Sequence, residues 1–171
     1  PESHPELWTK IMNEFGPVRQ TTKAYPEIHP SNAFIGNYLR MELLSREGRS
    51  KQILEENQSY YIPMARQTGT LWENMTSTAS CNHGFAAHMA RVLYRDELGV
   101  YEISPTEKKV ILRFTDSGLR QCKGSIPVGN ESVDVDWTIE GEEMKVTLKL
   151  PQGYTYESSS PGIKKCTIAV I

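Results

Sequence analysis

The sequence predicts an α+β chain: an α-helical segment over residues 1–98 followed by an antiparallel β-sandwich over residues 99–171. Apolar residues recur mostly at helical spacing before Gly99 and mostly at every second position after it. Two consecutive helical patterns also meet across a very short turn, as in an antiparallel helical hairpin.

Ser3-His4-Pro5-Glu6 has the spacing of a capping box and is expected to open a short helix carrying Leu7, Trp8, Ile11 and Met12. Gly16-Pro17 should end it, and the proline-rich stretch 17–30 reads as an irregular connection. A stronger helix is expected from Ser31 to Glu47. Ile35, Leu39 and Leu43 form its central apolar row, with Phe34, Tyr38 and Met41 beside it. Gly48 suits its C-terminus, and Ser50 opens the next helix, in which Ile53, Tyr60, Tyr61 and Met64 share a face. Residues 66–81 are polar and aperiodic. A last helix is expected from Asn82 to Gly99, with Phe85, Met89, Val92 and Leu93 on one side.

The later segments alternate. Val110, Leu112 and Phe114 make one strand face; Val133, Val135, Trp137 and Ile139 make another. Met144, Val146, Leu148 and Leu150 make a third, and Ile168 with Val170 a last one. Glu140-Gly141-Glu142-Glu143 is a short hairpin turn. The broad helical stripes exceed what one small sandwich can cover, so the helices are expected to belong to a larger helical body. A partial body of that kind would expose a large apolar patch and is expected to self-associate or rearrange its packing.

The chain has 171 residues and a formal net charge of -2, a near-neutral balance that points away from partners recognised mainly by charge. No basic block suggests nucleic acid, and no apolar run approaches the roughly 20 residues needed to span a bilayer. The start, Pro1-Glu2-Ser3-His4, has neither the basic nor the apolar region of a signal peptide and no initiating Met, which fits a piece of a longer or processed protein. Cys81, Cys122 and Cys166 lack metal-site spacing, and neither metal nor other cofactor is expected; a Cys122–Cys166 disulfide stays open. The Asn-x-Ser/Thr triplets at Asn57, Asn74 and Asn130 are of a kind that chance produces easily.

The chemically informative stretch runs from Thr68 to Phe85. It sets Glu73 beside Trp72, then Asn82-His83 just before the last helix. A sugar site wants an aromatic face, polar tips for hydroxyls and a carboxylate for acid or base work. Bland readings stand beside this one. Thr70-Leu71-Trp72-Glu73 matches a capping box, Trp72 fits a core, and His83 fits a helix start, where it should stay neutral. His83 and His88 are not spaced to share a metal on one helix face. Trp137 offers a platform for a carbohydrate-binding sandwich, yet it shares the apolar face of its strand.

At these residues the chain resembles the α-L-rhamnosidases of glycoside hydrolase family 78. The likeness is carried by Ser31-Asn32-Ala33-Phe34-Ile35-Gly36-Asn37-Tyr38-Leu39-Arg40, by Gly69-Thr70-Leu71-Trp72-Glu73 and by Ser80-Cys81-Asn82-His83-Gly84-Phe85-Ala86. Leu93-Tyr94-Arg95-Asp96-Glu97-Leu98-Gly99 and two β-domain stretches, 109–114 and 123–127, extend it. The resemblance implies part of an (α/α)6 barrel followed by a C-terminal β-sandwich, and removal of terminal α-L-rhamnose with inversion. It makes Glu73 the general base and His83 a rhamnose-binding histidine, with Trp72 and Asn82 shaping the pocket. The implied partners are a rhamnose-containing glycan or glycoside and the remaining N-terminal part of the barrel. Nothing before Glu73 matches the family's general-acid region, so the chain alone is expected to be inactive.

Overall fold

The computed structural model describes residues 2–28, 34–74 and 76–171. In chain order the helices are α1 (Pro5–Glu14), α2 (Val18–Thr22), α3 (Phe34–Arg46) and α4 (Ser50–Thr68). A 3-10 turn (Gly84–Ala87), α5 (His88–Val92) and a π turn (Leu93–Glu97) follow. The strands are β1 (Val100–Ser104), β2 (Lys109–Arg113), β3 (Gln121–Val128), β4 (Glu131–Glu140), β5 (Glu143–Lys149), β6 (Thr155–Ser159) and β7 (Lys165–Val170). The order is α then β, as the change in spacing at Gly99 predicts. The chain divides into two compact units, residues 1–44 with 53–88, and residues 45–52 with 89–171.

In the first unit, α1 starts on Pro5, whose missing N–H costs nothing at a helix start. His4 occupies the N-cap without a side-chain bond, so the capping box expected at Ser3 and Glu6 does not form there. The stretch after Gly16 contains the short α2, and Arg19 from it ties down the loop beyond. Its guanidinium donates to the carbonyls of Ala24 and Tyr25, both at 2.9 Å, and to that of Ile28.

α3 and α4 pair as antiparallel neighbours: Asn37 reaches Tyr61, and Arg40, nearer the turn, reaches Glu56. The buried face of α3 differs from the expected row. Asn37, Arg40, Met41 and Leu44 are buried, whereas Leu39 is 58% exposed. The expected start at Ser31 and the Ile35 side chain lie outside the described residues. Two polar residues displace the row because α4 supplies Tyr61 and Glu56 as partners for them, which an apolar count cannot register. On α4 the expected face holds, with Ile53, Tyr60, Tyr61 and Met64 all buried.

The expected last helix is three short pieces rather than one, and Phe85 and Leu93 are exposed while Val92 is fully buried. The π turn carries Arg95, Asp96 and Glu97 into the interior, a widening of the helix that places consecutive polar side chains inward.

The second unit holds two sheets, β1-β2-β6 and β3-β4-β5-β7. Three pairings are antiparallel, and β6 and β7 join β2 and β5 in parallel. The core between the sheets takes Val100, Val110, Leu112 and Phe114 from one side and Val133, Val135, Trp137, Met144, Val146 and Leu148 from the other. Apart from Val100, these are the alternating positions the sequence marks, and burying them supplies the main driving force for this unit. Trp137 is 2% exposed and donates its indole N–H to the Glu97 carbonyl at 3.2 Å, so it is core and cannot serve as a sugar platform. The β4–β5 turn uses Gly141 at φ +64°, a left-handed conformation that glycine adopts without steric cost. Among the described residues no helix is long and apolar enough to cross a membrane, and no group of His, Cys, Asp and Glu could hold a metal. All three cysteines are free thiols, so the Cys122–Cys166 bridge is absent.

Candidate functional site

The Thr68–His83 stretch, polar and aperiodic in sequence, folds as a backbone-paired loop following α4. The Glu73 N–H donates to the Ser80 carbonyl at 2.8 Å, and the His83 N–H donates to the Leu71 carbonyl at 3.0 Å. Ten residues apart in sequence, Glu73 and His83 therefore belong to one hydrogen-bonded unit. Gly69 lets the chain leave α4, since it sits at φ +71° with its amide still bonded to the Ala65 carbonyl.

Hydroxyls brace the base of this loop. Thr70 donates to the Cys81 carbonyl and shares a 2.7 Å bond with Thr68, whose hydroxyl also accepts the Trp72 indole N–H at 2.7 Å. Trp72 is buried, and its backbone N–H points at the Met64 sulfur at 3.4 Å. The tryptophan anchors the loop to α4 from the inside. The core reading of Trp72 thus describes its surroundings.

Glu73 is half-buried. One carboxylate oxygen, Oε2, accepts the Ser80 N–H at 3.3 Å. That bond lies across the loop, and no helix begins at Thr70, so Glu73 does not cap one. Asn82 is exposed; its backbone is fixed by Ser80, whose hydroxyl donates to the Asn82 carbonyl at 3.1 Å. His83 is half-buried and is the N-cap of the 3-10 turn, where its Nδ1 accepts the Phe85 N–H at 3.4 Å. An acceptor at Nδ1 carries no proton there, so the ring's proton sits on Nε2. The Phe85 ring packs edge-on to His83, with centroids 5.0 Å apart.

The loop thus offers a carboxylate that can accept a proton and an imidazole whose Nε2–H can donate to a hydroxyl. Phe85, 59% exposed, adds an apolar surface. In the sequence, His88 stands out only by its spacing from His83, which does not suit a shared metal. Its hydrogen bond to the Phe85 carbonyl has no local signal, because it arises from the 3-10 turn rather than from a regular helix.

No family model matches the chain. Over 152 residues it is 26% identical to an alpha-L-rhamnosidase of Alteromonas sp. (strain LOR), covering 79% of this chain and 16% of that protein. Superposed on the crystal structure of the GH78 family rhamnosidase of Bacillus sp. GL1, it gives a TM-score of 0.69 at 17% identity, covering 91% of this chain and 18% of the other. The fold is that of part of a family 78 rhamnosidase. The chain thus spans under a fifth of the length of either relative.

Proposed function

We propose that this chain is a segment of an inverting α-L-rhamnosidase and supplies one side of its active site. Glu73 is the general base that takes a proton from the attacking water. His83 donates from Nε2 to a rhamnose hydroxyl, Asn82 lines the pocket, and Trp72 shapes it from beneath the loop. The general acid comes from the remaining N-terminal part of the helical barrel, at the roughly 6.5–9.5 Å carboxyl separation that leaves room for a water. The substrate is a rhamnose-containing glycan or glycoside, and the segment alone is inactive.

The observation that carries this reading is the backbone pairing that holds Glu73 and His83 in one loop. The likeness in sequence and fold to rhamnosidases supports it from outside. The test is rhamnose release from an aryl α-L-rhamnoside by the rhamnosidase that contains this segment, wild type against Glu73→Gln. Loss of the base should lower kcat by at least about 10²-fold with KM little changed. An equally fast variant would remove Glu73 from the chemistry.

A further inference from the structure

Behind the His83 loop lies a buried polar chain that the proposed chemistry does not use. The Asn37 side-chain N–H on α3 donates to the Tyr61 hydroxyl on α4 at 2.8 Å. That hydroxyl lies 3.3 Å from Nε2 of His88, and Nδ1 of His88 lies 2.7 Å from the Phe85 carbonyl. Asn37 and Tyr61 are buried and His88 is half-buried. The rings of Tyr38 and Tyr61 meet His88 edge-on, at 5.5 and 6.2 Å between centroids.

The donors and acceptors can be assigned from chemistry alone. A carbonyl only accepts, so His88 carries its proton on Nδ1 and donates it to Phe85. In the neutral ring Nε2 is then an acceptor, and the Tyr61 hydroxyl donates to it while accepting from Asn37. Burial pushes the Tyr61 phenol well above its ordinary range and holds the His88 imidazole below its own, which keeps both groups in the forms this chain needs. Phe85 is the residue whose own N–H reaches Nδ1 of His83. The Phe85 carbonyl that receives the chain and the Phe85 N–H that reaches His83 lie in adjacent peptide units, joined at the Phe85 Cα within the 3-10 turn.

We propose that His88 is a positioning residue. Held by Tyr61 and Asn37, it fixes the Phe85–Ala86 peptide, whose N–H donates to the His83 carbonyl at 3.1 Å, and with it the 3-10 turn that aims the Phe85 N–H at Nδ1, so that His83 keeps its Nδ1-acceptor tautomer and presents Nε2–H toward a sugar hydroxyl. Presentation of Nε2–H to the sugar rests on the proposed rhamnose-binding role of His83. The device sets the direction of one donor.

Three variants separate positioning from packing. His88→Leu keeps bulk and loses the bonds to Tyr61 and Phe85, His88→Asn places an N–H where Nδ1 was, and Tyr61→Phe removes a single hydroxyl. The tautomer of His83 is read from its ring nitrogens by long-range proton–nitrogen NMR of the histidine-labelled rhamnosidase that contains this segment. Wild type should show one tautomer, protonated at Nε2. His88→Leu should mix the tautomers, Tyr61→Phe should move them partway, and His88→Asn should restore the wild-type pattern. An unchanged His83 in His88→Leu, or an Asn variant no better than Leu, would overturn the proposal. In the rhamnosidase containing the segment, His88→Leu should raise KM for an aryl α-L-rhamnoside about tenfold, the scale of one misplaced hydrogen bond, with kcat within about threefold. A shifted tautomer with an unchanged KM would leave His88 as a positioning residue and remove His83 from substrate binding.

Discussion

Arg40 and Glu56 meet in a two-pronged ion pair inside the helical unit, with Nε–Oε2 and Nη2–Oε1 both at 2.7 Å. The same guanidinium donates to the carbonyls of Ile11 and Met12 in the last turn of α1, each at 2.8 Å. It thereby satisfies two of the four carbonyls that a helix end leaves open, and ties α1 to both long helices. Gly16 makes room for it: a Cβ there would lie 2.7 Å from Oε1 of Glu56.

Breaking this pair from one side should be costly, because it strands a buried charge. Arg40→Met is expected to lose about 3–5 kcal/mol of stability in urea denaturation. Replacing both partners, Arg40→Met with Glu56→Leu, should recover part of that loss, although the Ile11 and Met12 carbonyls still lose their bonds to Arg40. Should the double variant prove no more stable than the single one, the carbonyl bonds rather than the ion pair would dominate.

Glu97 gives a pH-dependent stability. Burial, with the Asp96 charge adding to it and the Ser117 hydroxyl partly offsetting it, pushes its carboxyl up to about 8 from 4.5. Between those values the folded chain holds a proton that the unfolded chain has released, so this group's contribution to stability falls as pH rises from 4.5 to 8 and levels above. Glu97→Gln should flatten that slope and raise stability at pH 8 relative to wild type, by up to a few kcal/mol. Denaturation midpoints across pH 5–9 check it, and parallel curves for the two proteins would refute it.

Gly99 lies at φ +91°, and a Cβ on it would sit 2.5 Å from the Phe114 ring. Strain and overlap act together at this residue, which leads into β1. Gly99→Ala should cost about 2–4 kcal/mol, measured as a lower thermal midpoint.

Thr70 braces the base of the loop that carries Glu73 and His83, through the Cys81 carbonyl and Thr68. Thr70→Val keeps the shape and deletes both bonds. The amides of Glu73 and His83, bonded across the loop, should then exchange with solvent about tenfold faster, as one lost hydrogen bond implies. Unchanged exchange would mean that the Trp72 anchor suffices alone.

What the sequence by itself determined here is the periodic part. Alternation at Val110–Phe114, Val133–Ile139 and Met144–Leu148 marks the residues that fill the sandwich, because a strand sends every second side chain to one face. Ile53, Tyr60, Tyr61 and Met64 mark the buried face of α4 for the corresponding helical reason. Glu73 and His83 were legible as candidates through the motifs around them. β1, β3 and β6 were not legible as strands: β3 reads Gln-Cys-Lys-Gly-Ser-Ile-Pro-Val, and its pairing with β4 supplies what its weak apolar pattern lacks. The tertiary structure alone decided that Arg40 and Asn37 face inward, since a polar residue is tolerated in a core only where a partner from another element meets it. It also decided that Phe85 faces out and that His88 bonds its carbonyl. Those outcomes depend on donors and acceptors distant along the chain, and no local spacing encodes where they converge.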